Sequence, residues 1–543
     1  MKLYNKLGIL FAASTLSLTG CDMDRSPLTS FSEQGFYNDP ENVKMALMGL
    51  YRGGITLGVD YGASDWWNYS AVVLMDDLTD IGYDRRGFNN HIGKLTSGQL
   101  DETNGWVKQL YEAPYKRISA CCRFLEGMKD VQGDPAIDRM RAEARFIRAV
   151  QYFYLASYYH DVPLITKVLT LDEANTVTKS SRKEVMGFAI KELSDVAAIL
   201  PRHKDMPAGE VGRATAQAAL GYLARCYIVM EDFANAANAC KQIIDYGDNA
   251  IDPDYVKLFT QAGETSSEHI FATQFVDDLL GNGLPKHVLS VANAGWCLVN
   301  PTNGLFEAYD FKDGTPFSYE DPRYDKTHLG ANRDPRLDYT IYYDGVVFKG
   351  IEFDCDPEAK LPTDKIGPKK NTQTGFLMRK YIDEGWNGNI YSYGVNIPLV
   401  RYADILLLYL EAKLKAEGSV DQALLDATIN KVRGRANVNM PPITETDPAK
   451  LMEIIKKERK IELAFEGWRL WDLFRWGNAK EVINQPIYGA PFNNLKDPSK
   501  IRKKDGKADP YNRWYVNTRS FKDGQERWPI PLSEKNINPN LRD

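Results

Sequence analysis

Beyond its amino end, the chain has no uncharged apolar run near the roughly 18 residues that a membrane-spanning helix requires. A soluble body is therefore expected. Cysteine is scarce, seven in 543 residues, and no two stand as Cys-x-x-Cys or share a zinc-like spacing with histidine. Neither a structural metal nor a cofactor is expected. The six histidines, at 91, 160, 203, 269, 287 and 328, never form His-Glu-x-x-His, and no Gly-x-Ser-x-Gly elbow or Walker loop occurs. Metalloprotease, serine hydrolase and P-loop chemistries are left without a motif. A basic stripe is missing as well, and the net charge of -6 over this length argues against nucleic acid as a partner. Glycosidase chemistry needs only two carboxylates at a set separation, so 73 acidic residues leave that rival open without naming a catalytic pair.

The amino end carries what the rest lacks. Lys2 and Lys6 precede an apolar stretch from Leu7 to Leu18 that runs into Leu18-Thr19-Gly20-Cys21. This reads as a signal peptide over residues 1–20 with a lipobox, too short to span a membrane. Cys21 is the expected first residue of the mature chain and the point of lipidation, since two or more acyl chains anchor a protein firmly where one does not. Residues 21–38 then form a lipidated leading segment. Of the remaining cysteines, at 121, 122, 226, 240, 297 and 355, Cys226 and Cys240 fall at apolar helical positions and read as buried thiols.

Hydrophobic spacing points to helix pairs at both ends and a turn-rich middle. Asp39-Pro40-Glu41 supplies a cap, a proline for the first helical position and a first-turn acid, opening a helix to about Tyr51. Trp106 to Met128 has helical spacing, with a kink or split expected at Pro114. A third helix runs from about Ala136 to Tyr159 and breaks before Val162-Pro163. Within Thr215 to Asp245, small and large apolar residues on either side of Glu231-Asp232 make one tetratricopeptide-like pair, and Arg401 to Arg433 repeats the pattern around Gly418. Residues 39–245 and 397–485 are thus the helical parts. Between them, 246–396 is too long for a loop and reads as an irregular insertion, with a hairpin over Tyr339 to Phe348 turning at Asp344-Gly345. Residues 486–543 read as a covering tail.

Five stretches, in this order behind the lipobox, carry a resemblance over nearly the whole chain. They are Glu143-Ala-Arg-Phe-Ile-Arg-Ala-Val-Gln-Tyr-Phe-Tyr154 with Asp161-Val-Pro-Leu164; Gly212-Arg-Ala-Thr215 with Ala218-Ala219 and Ala224-Arg225; Arg401-Tyr-Ala-Asp404 with Tyr409-Leu-Glu-Ala412; Glu458-Arg459, Glu462-Leu463, Phe465-Glu-Gly467 and Asp472-Leu-Phe-Arg-Trp476; and Trp528-Pro-Ile-Pro-Leu532. The sequence resembles the SusD/RagB family of surface lipoproteins that pair with TonB-dependent transporters. The resemblance implies a mostly α fold, with tetratricopeptide-like helix pairs forming a superhelical scaffold and an irregular insertion of short helices and a few strands. It also implies an outer-membrane location and a non-catalytic role. A glycan, oligosaccharide or polysaccharide, would be handed to a SusC-like partner. A peptide-binding or scaffolding subunit is the alternative. Asp22 and Asp24 beside Cys21 resemble the acidic cue for surface exposure in such bacteria.

The motif residues themselves read as structure. Arg459, Glu462, Glu466 and Arg469 stand three or four apart and are expected to pair along one helix, with Trp468, Trp471 and Trp476 filling a seam. Asp76, Asp77 and Asp80 read as loop and helix-cap residues. Ligand contacts are sought instead among loop aromatics beside hydrogen-bonding groups, because sugar rings offer apolar faces ringed by hydroxyls. Ten Trp and thirty Tyr are many for a mainly helical protein. Asp65, Trp66, Trp67, Asn68 and Tyr69 lead, although burial of the two indoles beneath the loops is the competing reading. Tyr83 and Arg85 follow, then Trp296 with Asn300 and Asn303, and last Trp386 and Tyr393. The resemblance implies an aromatic platform shared between the early loops and the insertion.

Overall fold

The computed structural model describes residues 36–37, 39–131, 133–359 and 363–542. Cys21, Asp22, Asp24 and the signal segment lie outside them. The protein is mostly helical. Helix α1 (Pro40–Arg52) starts on Asp39, whose carboxylate accepts from the Glu41 N–H, with Pro40 in the first turn. It ends at Gly53, φ 50°, where a Cβ would lie 2.1 Å from a guanidinium nitrogen of Arg117. Only glycine fits there.

After α2 (Tyr69–Asp76) come α3 (Gly105–Gly127), α4 (Pro135–Tyr158), α5 (Arg182–Ala197), α6 (Ala216–Val229) and α7 (Phe233–Tyr246). Beyond the insertion lie α8 (Tyr402–Glu417), α9 (Gln422–Ala427), α10 (Ile429–Arg433), α11 (Pro448–Glu462) and α12 (Arg469–Arg475). From α3 to α8 each helix packs on the next, and α8 also packs on α11, so the insertion does not interrupt the stack. Small buried residues, Ala218, Ala219 and Ala224 on α6 with Ala236, Ala237 and Ala239 on α7, let that pair approach closely. All six described cysteines are buried free thiols. Among the described residues no helix is long and apolar enough to cross a membrane.

Two local expectations are corrected. Pro114 does not split α3, which runs through it as one 23-residue helix, its flank held by the buried Leu110, Tyr111 and Ile118. Nor do residues 339–348 form a hairpin on themselves. Strand β4 (Ile341–Tyr343) pairs with β7 (Phe376–Met378), and the short hairpin is β5 (Val347–Phe348) with β6 (Ile351–Glu352). Its turn is Lys349-Gly350, both at positive φ, 49° and 75°, the conformation a two-residue hairpin loop favours. Asp344-Gly345 also turns the chain, but toward Phe353.

Three further antiparallel pairs tie distant segments together. Strand β1 (Gly82–Asp84) pairs with β3 (Val299–Pro301), setting Tyr83 opposite Asn300 and joining the early loops to the insertion. Strand β2 (His269–Thr273) pairs with β8 (Ile397–Arg401), so the insertion is gathered at its base. In the tail, β9 (Pro486–Pro491) pairs with β10 (Arg513–Thr518). Beside the β2–β8 pair, Glu264 accepts from the Asn396 N–H at 3.1 Å. Burial lifts its carboxyl from 4.5 to about 7, against the pull of that hydrogen bond and with help from Asp277. The folded value exceeds the unfolded one, so the stability present below pH 4.5 is lost as pH rises through 7. Glu264→Gln keeps the acceptor and cannot ionise. Its melting temperature is expected to exceed the parent's by about 1 °C at pH 8 and to match it near pH 4, measured by calorimetric scans.

The motif residues on α11 and beyond are structural, as expected, but they do not pair along one helix. Glu462 meets Arg435 at 2.9 Å, Arg336 at 2.9 Å and Arg401 at 3.2 Å. Glu466 takes Arg401 at 2.6 Å and Lys380 at 2.7 Å, Arg459 bridges Asp404 and Asp472, and Arg469 reaches Asp80 at 2.8 Å. Asp80 apart, these side chains are almost wholly buried. A charge on an inward helix face has no solvent, so its partners must come from the segments packed over it. Burial alone would raise the Glu462 carboxyl; Arg435, Arg401 and Arg336 outweigh that and hold it at about 2.

Candidate functional site

The leading sequence candidates turn out to be core, which corrects them as a surface for stacking sugars. Trp66 is 4% exposed and stacks on Tyr154 and Tyr158 at 4.7 and 4.6 Å and on Trp528 at 5.9 Å, while its N–H donates to the Leu110 carbonyl. Trp67, 2% exposed, lies under the Arg117 guanidinium, 4.4 Å from its ring centre. Asp65 accepts from that arginine at 2.8 Å. Asn68 caps α2 and donates to Asp60 at 2.7 Å, and the Tyr69 hydroxyl accepts from the Asp60 N–H. Large indoles close to the backbone of paired helices fill the seam better than any smaller residue.

The hub of these bonds is Asp60. Its carboxylate accepts from the Gly62 and Ser64 amides, the Ser64 and Ser70 hydroxyls and the Asn68 amide, folding residues 60–70 on themselves. With so much turned inward, Tyr61 is turned out and is 73% exposed. Its ring centre is 5.5 Å from that of Trp296 in the insertion. Trp296 is half-buried and rests on His287, 5.6 Å away and nearly parallel. Neither His287 nitrogen has a hydrogen-bond partner among the described residues, and burial pushes the imidazole down to about 3, so it stays neutral and braces the indole.

Backbone bonds hold Trp296 there. Its N–H donates to the Lys286 carbonyl at 2.8 Å and that of Leu298 to the His287 carbonyl, wrapping the segment round the short helix Leu284–Val288. Ala294 and Cys297 take left-handed φ of 63° and 48° to make the wrap, a strain such sites commonly store. Lys286 places its ammonium 5.3 Å from the Trp296 ring centre and 5.1 Å from that of Tyr391, which is 48% exposed. Tyr391 is brought in by bridges of Asn282 to Gly58 on one side and Tyr393 on the other. Tyr61, Trp296 and Tyr391 are therefore one open aromatic cluster built from the early loop and two parts of the insertion. Leu57, Leu279 and Leu280 add further exposed apolar surface on the same loops.

Of the remaining candidates, Arg85 is half-buried, donating to the Lys369 carbonyl at 3.2 Å. Three others are corrected. Tyr83 is 6% exposed on β1, beside Phe88. Asn300 is fully buried, donating to the Cys297 carbonyl and accepting from the Gln373 N–H. Asn303 accepts from the Tyr319 hydroxyl and lines a separate cleft of about 800 Å³ with Trp476, Tyr488 and Lys460. A β strand alternates its faces, so polar residues beside Trp296 in sequence need not share its surface. Tyr393 is buried, and the Trp386 N–H donates to Asp277 at 3.1 Å behind the cluster.

The same architecture occurs in known proteins. A family model described as the SusD family matches residues 260–543. A SusD-like carbohydrate binding protein from Bacteroides fragilis NCTC 9343 superposes with a TM-score of 0.91 at 47% identity, covering 93% of this chain and 100% of that one. This chain belongs to the SusD family. A second model, described as starch-binding associating with outer membrane, matches residues 79–228. A SusD-like protein of Formosa agariphila is 25% identical over 507 residues, 88% of this chain and 92% of its own length. Surface glycan-binding protein A from Bacteroides uniformis shares the fold, with a TM-score of 0.67 at 20% identity over 93% of this chain and 99% of that one. Within the SusD fold of this chain, Trp296 is the aromatic that sequence reasoning placed in the cluster. Tyr61, Tyr391 and Lys286 were missed, though Tyr61 is flanked by Gly58 and Gly62 and Tyr391 by Asn389 and Ser392, the turn chemistry that lifts a ring off a surface.

Proposed function

We propose that this SusD-family chain is a non-catalytic surface lipoprotein that binds a glycan, oligosaccharide or polysaccharide, and delivers it to a SusC-like TonB-dependent transporter in the outer membrane. The observation that carries the reading is the cluster of Tyr61, Trp296 and Tyr391, in which two exposed tyrosines from separate segments flank a half-buried indole. Rings in that arrangement suit the apolar faces of sugars, with hydroxyl tips and the Lys286 ammonium free to meet their oxygens. The carbohydrate-binding description of the 47% identical B. fragilis protein supports the same reading. In this scheme the mature chain starts at Cys21 and is held by its lipid. The helical parts, 39–245 and 397–485, carry the transporter-docking face. The insertion, 246–396, joins the early loops to carry the ligand, and the tail from 486 covers the core. Tether and transporter together raise the local ligand concentration, so modest affinity suffices.

Calorimetric titration against plant, host and microbial polysaccharides tests it. Binding of a glycan without cleavage supports a receptor. Release of shorter oligosaccharides would make the protein a glycosidase, and binding of peptides but no glycan would make it a peptide-binding subunit.

A further inference from the structure

One cation, Lys286, stands over the aromatic cluster. Lys286 makes no ion pair among the described residues; its ammonium donates to the Ala294 carbonyl at 2.6 Å and otherwise faces the rings of Trp296 and Tyr391. The acids nearby are mostly spent. Asp84 is held by Arg86 at 2.6 Å, and Asp60 is consumed by its own loop. Asp277 accepts from the Gly394 N–H, Gln261 and Trp386. Asp278, whose N–H donates to the Ser392 carbonyl, forms no ion pair with Lys286. Arg86 itself donates to the Tyr61 carbonyl, at the root of the outermost ring.

An ammonium has three donors, and one here goes to a backbone oxygen. The cation is thus held over two rings, within reach of the substituents of a sugar lying on the cluster. Attraction to the ring faces keeps it there without neutralising it. We infer that the glycan is acidic, with a carboxylate or sulfate group that pairs with Lys286 while its ring lies on the aromatic cluster. This deepens the reading given under Proposed function and rests on it. A neutral sugar at the same place would leave the ammonium without a counter-charge, whereas an anionic oxygen makes a charge-assisted hydrogen bond.

The test compares pectic, alginate, glycosaminoglycan and sulfated galactan oligosaccharides, each beside its carboxyl-reduced or desulfated form, in calorimetric titrations of the full chain. The parent is expected to prefer one acidic form by about tenfold or more. That preference should shrink as salt rises from about 50 to about 500 mM. The uronate and sulfate arms tell which anion is read. Lys286→Met keeps the stem over the rings and is expected to bring the two forms of that glycan within about twofold of each other. Lys286→Arg should restore the preference with unchanged melting temperature. Equal or better binding of the neutral form by the parent overturns the inference while leaving the glycan receptor standing. So does a preference that survives Lys286→Met. If no glycan binds in either form, the receptor reading fails and this one falls with it.

Discussion

Tyr61→Ala is expected to weaken binding of the cognate glycan about 30-fold, a loss of about 2 kcal/mol, with no change in melting temperature. The side chain is 73% exposed and its neighbours are fixed by Asp60 through backbone and polar bonds, so its removal leaves the loop standing. What goes is the outermost ring of the cluster and its contact with Trp296. Trp66→Ala supplies the contrast, since that indole touches three aromatic rings and a backbone carbonyl inside the core. It should lower stability by about 3 kcal/mol or more and leave affinity per folded molecule unaltered. Titration calorimetry beside thermal melts separates the two effects. A glycan-affinity loss confined to Trp66→Ala would move the site away from Tyr61 altogether.

The second large effect concerns the buried charges. Glu462→Ala should destabilise the protein by about 3–5 kcal/mol, read as a lowered urea midpoint or loss of soluble protein. One carboxylate there answers three guanidiniums, Arg336, Arg401 and Arg435, each essentially inaccessible to water. Glu268, Glu466, Glu458 and Asp334 remain, four carboxylates against Arg336, Arg401, Arg435, Arg433 and Lys380, so one net positive charge then sits in the interior. Glu462→Gln, with the same shape and no charge, should cost less than Ala and more than a surface change. A midpoint within experimental error of the parent would show that the network tolerates an uncompensated cation.

Helices were legible because their signals are local: the Asp39-Pro40 cap, the small-residue pair around Glu231-Asp232, and the αL stop at Gly418 all appear where the spacing puts them. The hairpin near Asp344 was not, because the β4 partner comes from Phe376 to Met378, a pairing no short-range turn signal encodes. The site followed the same division. Trp66 and Trp67 look in sequence like a loop platform, yet Asp60 folds that loop on itself and Arg117 draws it inward through a bond to Asp65 that closes 52 positions, too far apart to be read in one dimension. Trp296 stood out by its Gly/Asn surroundings. Tyr61 and Tyr391 are single tyrosines among thirty, and only the bridges of Asn282 to Gly58 and Tyr393 give them a common address.

The stack that seals Trp66 also sets an order of events for a chain made from its amino end. Trp66 lies against Trp528, and Arg519 donates to the carbonyls of Asp77, Thr79 and Gly82, the bond to Thr79 closing a separation of 440 positions. A growing polypeptide cannot complete the core beneath its first loops until the segment from Arg519 to Trp528 has been synthesised. The contacts that finish the fold are those with the longest loops to close, so they are the slowest to form and the last to commit. Until Trp528 arrives, the early aromatic run stays incompletely covered, and the molecule remains in a state that can still be threaded, unfolded or intercepted.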